Sequence, residues 1–266
     1  MEHKTDRRKF LQSLGGIGAA AVVVPPAFTV QDADAKTSDA SKTRHQKPLA
    51  TRLQAYTYFL PAEAAFVEVA VSRLIPADHL GPGAKEAGVA YYIDQQLSGA
   101  WGTMAKNYRQ GPWAEGTPEQ GYQSPLIPQE VYRLGISDAN AHCVATHGKS
   151  FNELSEDKQD EVLKGLERGE IKLSNVPGRM FFEMLYANTV EGFLADPAYG
   201  GNRDKVGWKL VGFPGVAAAY IGLIEQYNVP YNRGPVSIAD MQQHLVQVDH
   251  HGHPIHPILV SKSEND

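Results

Sequence analysis

The histidines of "DHHGHPIHPILV" are the densest group of side chains in this chain able to hold a metal ion: His250, His251, His253 and His256. Imidazole nitrogens ligate divalent transition metals. Histidine-rich tracts also take up added metal without a dedicated site, and Pro254 and Pro257 suggest an extended arm. The expectation is no resident metal, and an arm that lies on a partner, because chain ends stay disordered unless tied down. A second combination is Cys143 with His147, four apart on an expected helix, as a nucleophile and base would be. Small residues share that stripe, so plain helix packing is the stronger reading. Glu183 and Glu191 also share an expected helix, but eight residues correspond to about 12 Å, wider than the carboxylate pairs of glycosidases. The sequence has no G-x-S-x-G elbow, H-E-x-x-H, P-loop or C-x-x-C. No catalytic or cofactor-binding residue is expected in this chain.

The most unusual stretch is "LADPAYGGNRDKVGWKLVGFPG". Asp196 before Pro197 favours a turn or extended backbone. Gly200 and Gly201 permit positive φ, and Asn202 tolerates it. Trp208 and Phe213, with Gly212 and Pro214 around them, are expected in a loop. Large apolar side chains sit there when they are buried in the core or across an interface. Locking of the core and contact with a partner are the two readings of this segment.

The elements that carry these residues read as helices. Pro61 suits a first helical turn, and Phe66, Ala70 and Leu74 recur every four residues until Pro76. Val89, Ile93 and Leu97 make a second stripe. Residues 101–128, rich in Gly, Pro and Gln with scattered aromatics, form a long ordered loop, and loops of that length are usually functional or lie against something else. A helix from Gln129 to His147 carries Val131, Gly135, Ala139 and Cys143 on one line. Ser155 is placed to cap the next helix, with Val162, Leu163 and Leu166 inward. "GRMFFEMLYANTVEGFLADP" is apolar over most of its circumference and is expected at the centre. Tyr220, Leu223, Ile224 and Tyr227 predict a further amphipathic helix, and Ser237 with Asp240 a capping box. The fold class is mainly α: an irregular helical domain with long ordered loops and an extended C-terminal arm.

The first residues read as an export address. Lys4, Arg7, Arg8 and Lys9 precede an apolar run from Leu14 to Val24, too short to span a bilayer, which takes about 20 residues. Arg7 and Arg8 followed by Phe10 and Leu11 resemble the twin-arginine signal, although Asp6 and Gln12 depart from its common pattern. Ala33 and Ala35 supply the small residues of a cleavage site, with the cut after Ala35. The expected organisation is a signal over 1–35, a flexible leader over 36–55, a helical domain over 56–230 and a C-terminal arm over 231–266. The net charge of −5 argues against nucleic acid as a partner. Cys143 is the single cysteine, so the chain has no internal disulfide, and a buried thiol is the default.

Several of these segments together resemble one family. "RLIPADHLGPGAKEAGVAYYIDQQL", "HGKSFNELSEDKQDEVL" and above all "EGFLADPAYGGNRDKVGWKLVGFPG" are similar to the small subunit (subunit 3, or gamma) of membrane-bound gluconate 2-dehydrogenase. The resemblance covers most of Phe59 to Val229 and leaves out the tail beyond Asn232. It implies a non-catalytic partner of a large FAD-dependent subunit of the glucose-methanol-choline class, which oxidises sugars, sugar acids or polyols at the periplasmic face. It further implies association with the membrane through the complex, help in folding and export through the twin-arginine translocase, and in many such complexes a multihaem cytochrome c subunit carrying electrons to quinone. In related glucose-oxidising complexes the small subunit is disulfide-linked to the catalytic one, which offers Cys143 as the linking residue beside its reading as a buried thiol.

Overall fold

The computed structural model describes residues 55–257 apart from positions 115, 122, 217–223, 230 and 232. The signal residues Arg7, Arg8, Phe10 and Leu11, the cleavage residues Ala33 and Ala35, and nearly all of the leader lie outside the described residues.

Seven α-helices are present among the described residues, with no strands. They are α1 (Pro61–Leu74), α2 (Val89–Ser98), α3 (Pro128–His147), α4 (Glu156–Glu167), α5 (Gly178–Leu194), α6 (Val206–Val211) and α7 (Ile238–Gln242). The mainly α expectation is met. None of these helices is long and apolar enough to cross a membrane.

Two helices start in the same way. Pro61 and Pro128 occupy first helical positions, where the missing N–H costs nothing. Glu63 and Glu130, three residues past the cap, accept the backbone N–H of Leu60 and Ile127, each at 2.9 Å. Ser155 stands at the N-cap of α4 as expected, but its hydroxyl makes no capping bond. The preceding turn is tied down by Gln159 Nε2, which donates to the carbonyls of Phe151 and Leu154.

α5 is the central helix and packs against α1, α2, α3, α4 and α6. The stripe Val131, Gly135, Ala139 and Cys143 faces inward, and Phe181 of α5 lies over Gly135. A Cβ on Gly135 would fall 2.4 Å from that ring, so the small residue sets the approach of α3 to α5. Phe66 joins this contact between Phe151, with ring centroids 4.5 Å apart, and Phe181 at 6.1 Å. Tyr132 meets Phe181 edge-on at 6.0 Å. The stripe on α2 is buried throughout, whereas Leu74 on α1 is only half-buried.

Two expectations need correction. Residues 224–229 run in turns and expose Ile224 and Tyr227, so no helix continues through them; Tyr220 and Leu223 lie outside the described residues. Trp208 is helical, within α6, although its neighbours read as loop. Residues 99–127 form the long connection as expected, with only a short 3-10 turn at Pro118–Gln120.

Candidate functional site

After α5 the chain ties itself into a knot of short turns. Asp196 Oδ1 accepts the N–H of Ala198 at 2.9 Å, capping the 3-10 turn Pro197–Tyr199. The same carboxylate accepts the N–H of Ile238 at 2.7 Å and of Ala239 at 3.4 Å, at the start of α7. One buried acid therefore serves two helical starts, where unpaired N–H groups and the helix dipole favour a negative charge. Asn202 is wholly buried with φ +46°; its amide donates to the Ala195 carbonyl and its oxygen accepts the Gly207 N–H, both at 2.8 Å. Asp204 and Lys205 share the left-handed region at φ +55° and +57°, which costs roughly 1 kcal/mol or more per non-glycine residue.

The strain is held by contacts on every side. Lys205 Nζ lies 2.7 Å from Asp240 Oδ2, and Asp240 also caps α7 reciprocally with Ser237. Burial opposes ionisation of Asp240, but Lys205 and the Ser237 N–H and hydroxyl overcome it and hold its carboxyl below the ordinary range. Trp208 Nε1 donates to the Leu194 carbonyl at 2.7 Å, and Phe213 meets the indole edge-on at 5.2 Å. A Cβ on Gly201 would fall 2.2 Å from the Gly192 oxygen, and one on Gly207 2.0 Å from the Phe193 oxygen. These two glycines let the returning backbone touch the end of α5, which is a separate requirement from positive φ.

The motif residues therefore divide. Asp196, Gly201, Asn202 and Trp208 are buried and hold the knot. Pro197, Gly200 and Pro214 are partly covered, while Gly212 and Phe213 are exposed, as are Tyr199 and Val211. The start of the C-terminal arm returns to its own chain: Val236 pairs with Gly215 and is buried together with Ser237.

The other candidates stay apart. Cys143 is a fully buried free thiol, and burial pushes its pKa to about 11. A catalytic cysteine needs the opposite shift. Glu183 pairs with Arg179 at 2.7 Å, one end of α5 away from Glu191, which accepts from Asn188. The His250 and His251 rings meet at a tilt, 3.7 Å between centroids, His253 pairs with Asp249, and the His256 ring nitrogens face the Gly234 and Val216 carbonyls at 3.0 and 2.8 Å. No group of three or more metal-ligating side chains forms among the described residues.

Sequence reasoning missed Asp94. Wholly buried on α2, its carboxylate accepts the N–H groups of Thr57, Tyr58 and Phe59 at 2.7, 2.9 and 2.8 Å. Asp94 is the one charged residue of α2, beside Ile93 of its buried stripe, and that was the available signal. A second missed chain runs from the buried Tyr132 hydroxyl, which donates to Asn188 Oδ1 at 2.9 Å, on to Glu191. Burial holds the Tyr132 hydroxyl well above the ordinary tyrosine range. These buried polar groups are spent on holding backbone and helices in place.

Residues 61–215, from the first residue of α1 to the glycine that pairs with Val236, match the model of the family described as gluconate 2-dehydrogenase subunit 3. The chain belongs to this family. Membership in the subunit 3 family implies a small subunit within a multi-subunit dehydrogenase, with a catalytic partner. A comparison with curated proteins and with solved structures returned no match. The family span takes in the whole knot, and α7 with the rest of the arm lies beyond it.

Proposed function

We propose that this chain is the non-catalytic small subunit of a periplasmic, membrane-associated, FAD-dependent dehydrogenase of the glucose-methanol-choline type, acting on a sugar, sugar acid or polyol. Its task is to fold with the catalytic subunit, stabilise it and carry it through the twin-arginine translocase. The resemblance offers a multihaem cytochrome c subunit as the electron acceptor found in many such complexes. The observation that carries this reading is the match of residues 61–215 to a subunit family. Two features of the chain support it. Arg7 and Arg8 form an address for folded cargo, and a flavoprotein must acquire FAD in the cytoplasm before it crosses. The buried acids Asp94 and Asp196 are occupied by backbone N–H groups, so using either as a general base would release the segment it holds.

Co-expression of this chain with the catalytic subunit tests the reading. The expected result is a purified complex with flavin absorbance and dye-reducing activity, neither of which the small subunit shows alone. Turnover by the isolated chain, or a catalytic subunit equally soluble and active without it, would overturn the proposal.

A further inference from the structure

We propose that the loop over residues 99–127 is the docking hot spot for the catalytic subunit, an inference that rests on the subunit reading above. Between α2 and α3 this loop leaves the helical core, and its described residues expose three large aromatic side chains: Trp101 at 39%, Tyr108 at 87% and Trp113 at 40% of their surface. Exposed aromatics on a floppy loop would cost ordering entropy on binding; here the loop is braced in advance. Arg109 is the brace. Its guanidinium donates to the carbonyls of Ser124 and Pro125, contacts Met104 Sδ at 3.1 Å, and lies 5.3 Å from the centre of the Trp113 ring. Met104 in turn donates its N–H to the Trp101 carbonyl, so the cation links residues 104, 113, 124 and 125 across the loop. The loop's base is pinned by Gln129, whose backbone N–H donates to the Gly102 carbonyl and whose side chain donates to Leu97.

Trp, Tyr and Arg are the residues that dominate binding energy at protein interfaces. The choice of occupant follows from position. Being a subunit is a property of the family, so the surface that makes this chain one lies within residues 61–215, where the family model matches. The exposed apolar residues Tyr227 and Val229, and Leu245 and Ile255 of the arm, lie outside that span. Within it the knot also exposes Tyr199, Val211 and Phe213, but its Trp208 is turned inward, and the two exposed tryptophans both lie on the loop.

The test uses the complex of this chain with its catalytic subunit. The triple variant Trp101→Ala/Tyr108→Ala/Trp113→Ala should bind the flavoprotein about tenfold or more weakly, with unchanged helix content and unfolding midpoint. Arg109→Ala, which keeps the aromatics and removes the brace, should weaken binding less. In the wild-type complex, Trp101 and Trp113 should be protected from oxidative footprinting, a readout that needs no variant. Wild-type affinity in the triple variant, or unprotected tryptophans, overturns the inference while leaving the subunit reading intact. A wild-type chain that binds no flavoprotein overturns both. Loss of flotation with anionic vesicles, while flavoprotein affinity is kept, would make the loop a membrane contact and also overturn it.

Discussion

Asp196 at the end of α5 and Ile238 at the start of α7 are joined by a 2.7 Å hydrogen bond across 42 residues of chain. The same carboxylate caps its own local turn through Ala198. The family motif and the arm beyond the family span therefore share one buried charge, and the stability of the first depends on the second. Asp196→Ala should lower unfolding free energy by about 2 kcal/mol, more than a single surface cap, because part-buried N–H groups at two helical starts lose their acceptor together. Urea denaturation measures this, and a change below about 0.5 kcal/mol would show that water replaces the carboxylate.

The glycines of the knot should separate by cause. Gly201→Ala and Gly207→Ala each drive a methyl into a backbone oxygen, and overpacking of this kind costs about 1–3 kcal/mol or more. Gly212→Ala meets no atom within 4 Å and carries only the strain of φ +73°, roughly 1 kcal/mol. The order of thermal midpoints should follow, with Gly212→Ala the mildest of the three.

Asp94 anchors the first described residues to α2. Asp94→Ala leaves three backbone N–H groups without their acceptor and should destabilise the fold by about 3 kcal/mol or more. Hydrogen exchange at Thr57, Tyr58 and Phe59 should rise well beyond the global change. Equal exchange in variant and wild type would mean that other contacts hold this segment.

Acid should loosen the arm first. The folded carboxyl of Asp240 sits below its ordinary value, with Lys205 and Ser237 as its stabilising partners. A depressed pKa contributes stability that is complete above the unfolded value and disappears as pH falls through the folded one. Limited proteolysis should therefore cut the arm near α7 more readily below about pH 4, and Lys205→Met should shift this onset upward. An onset unmoved by the substitution would sink the ion-pair account.

Cys143 should resist labelling. Burial raises its pKa to about 11, so near pH 7 the thiolate is a minute fraction. A thiol reagent should react slowly with the native complex and at once after denaturation, and non-reducing electrophoresis should show no covalent heterodimer. A reducible heterodimer band that Cys143→Ser removes would establish instead the bond that the family resemblance implies.

The export reading has a cellular test. Replacing Arg7 and Arg8 by Lys should leave the catalytic subunit in the cytoplasm together with this chain, because one signal serves both. A catalytic subunit that still reaches the periplasm would show that it carries its own address.

Local pattern determined most of the helices. Phe66 and Ala70, Val89, Ile93 and Leu97, and Val131 through Cys143 recur at the helical period, and burial acts on that period directly. Pro61 marked one start in sequence, and the structure adds Pro128, Glu63 and Glu130, whose capping contacts are just as local, spanning three residues. The motif ending at Gly215 was enough to point to the family. What sequence reading could not supply was any relation whose partners lie far apart in the chain. Asp94 went unnoticed because its partners, the N–H groups of residues 57–59, lie 35 to 37 positions away in the chain. Trp208 looked like a loop residue, because the left-handed Asp204 and Lys205 before it hide a short helix that only packing against α5 sustains. The arm reads in sequence as one that lies on a partner, yet Val236 and Ile238 return to Gly215 and Asp196 of their own chain. Helical periodicity is written in neighbouring residues, whereas the partner of a buried charge or a strained turn exists only once the chain has folded back upon itself.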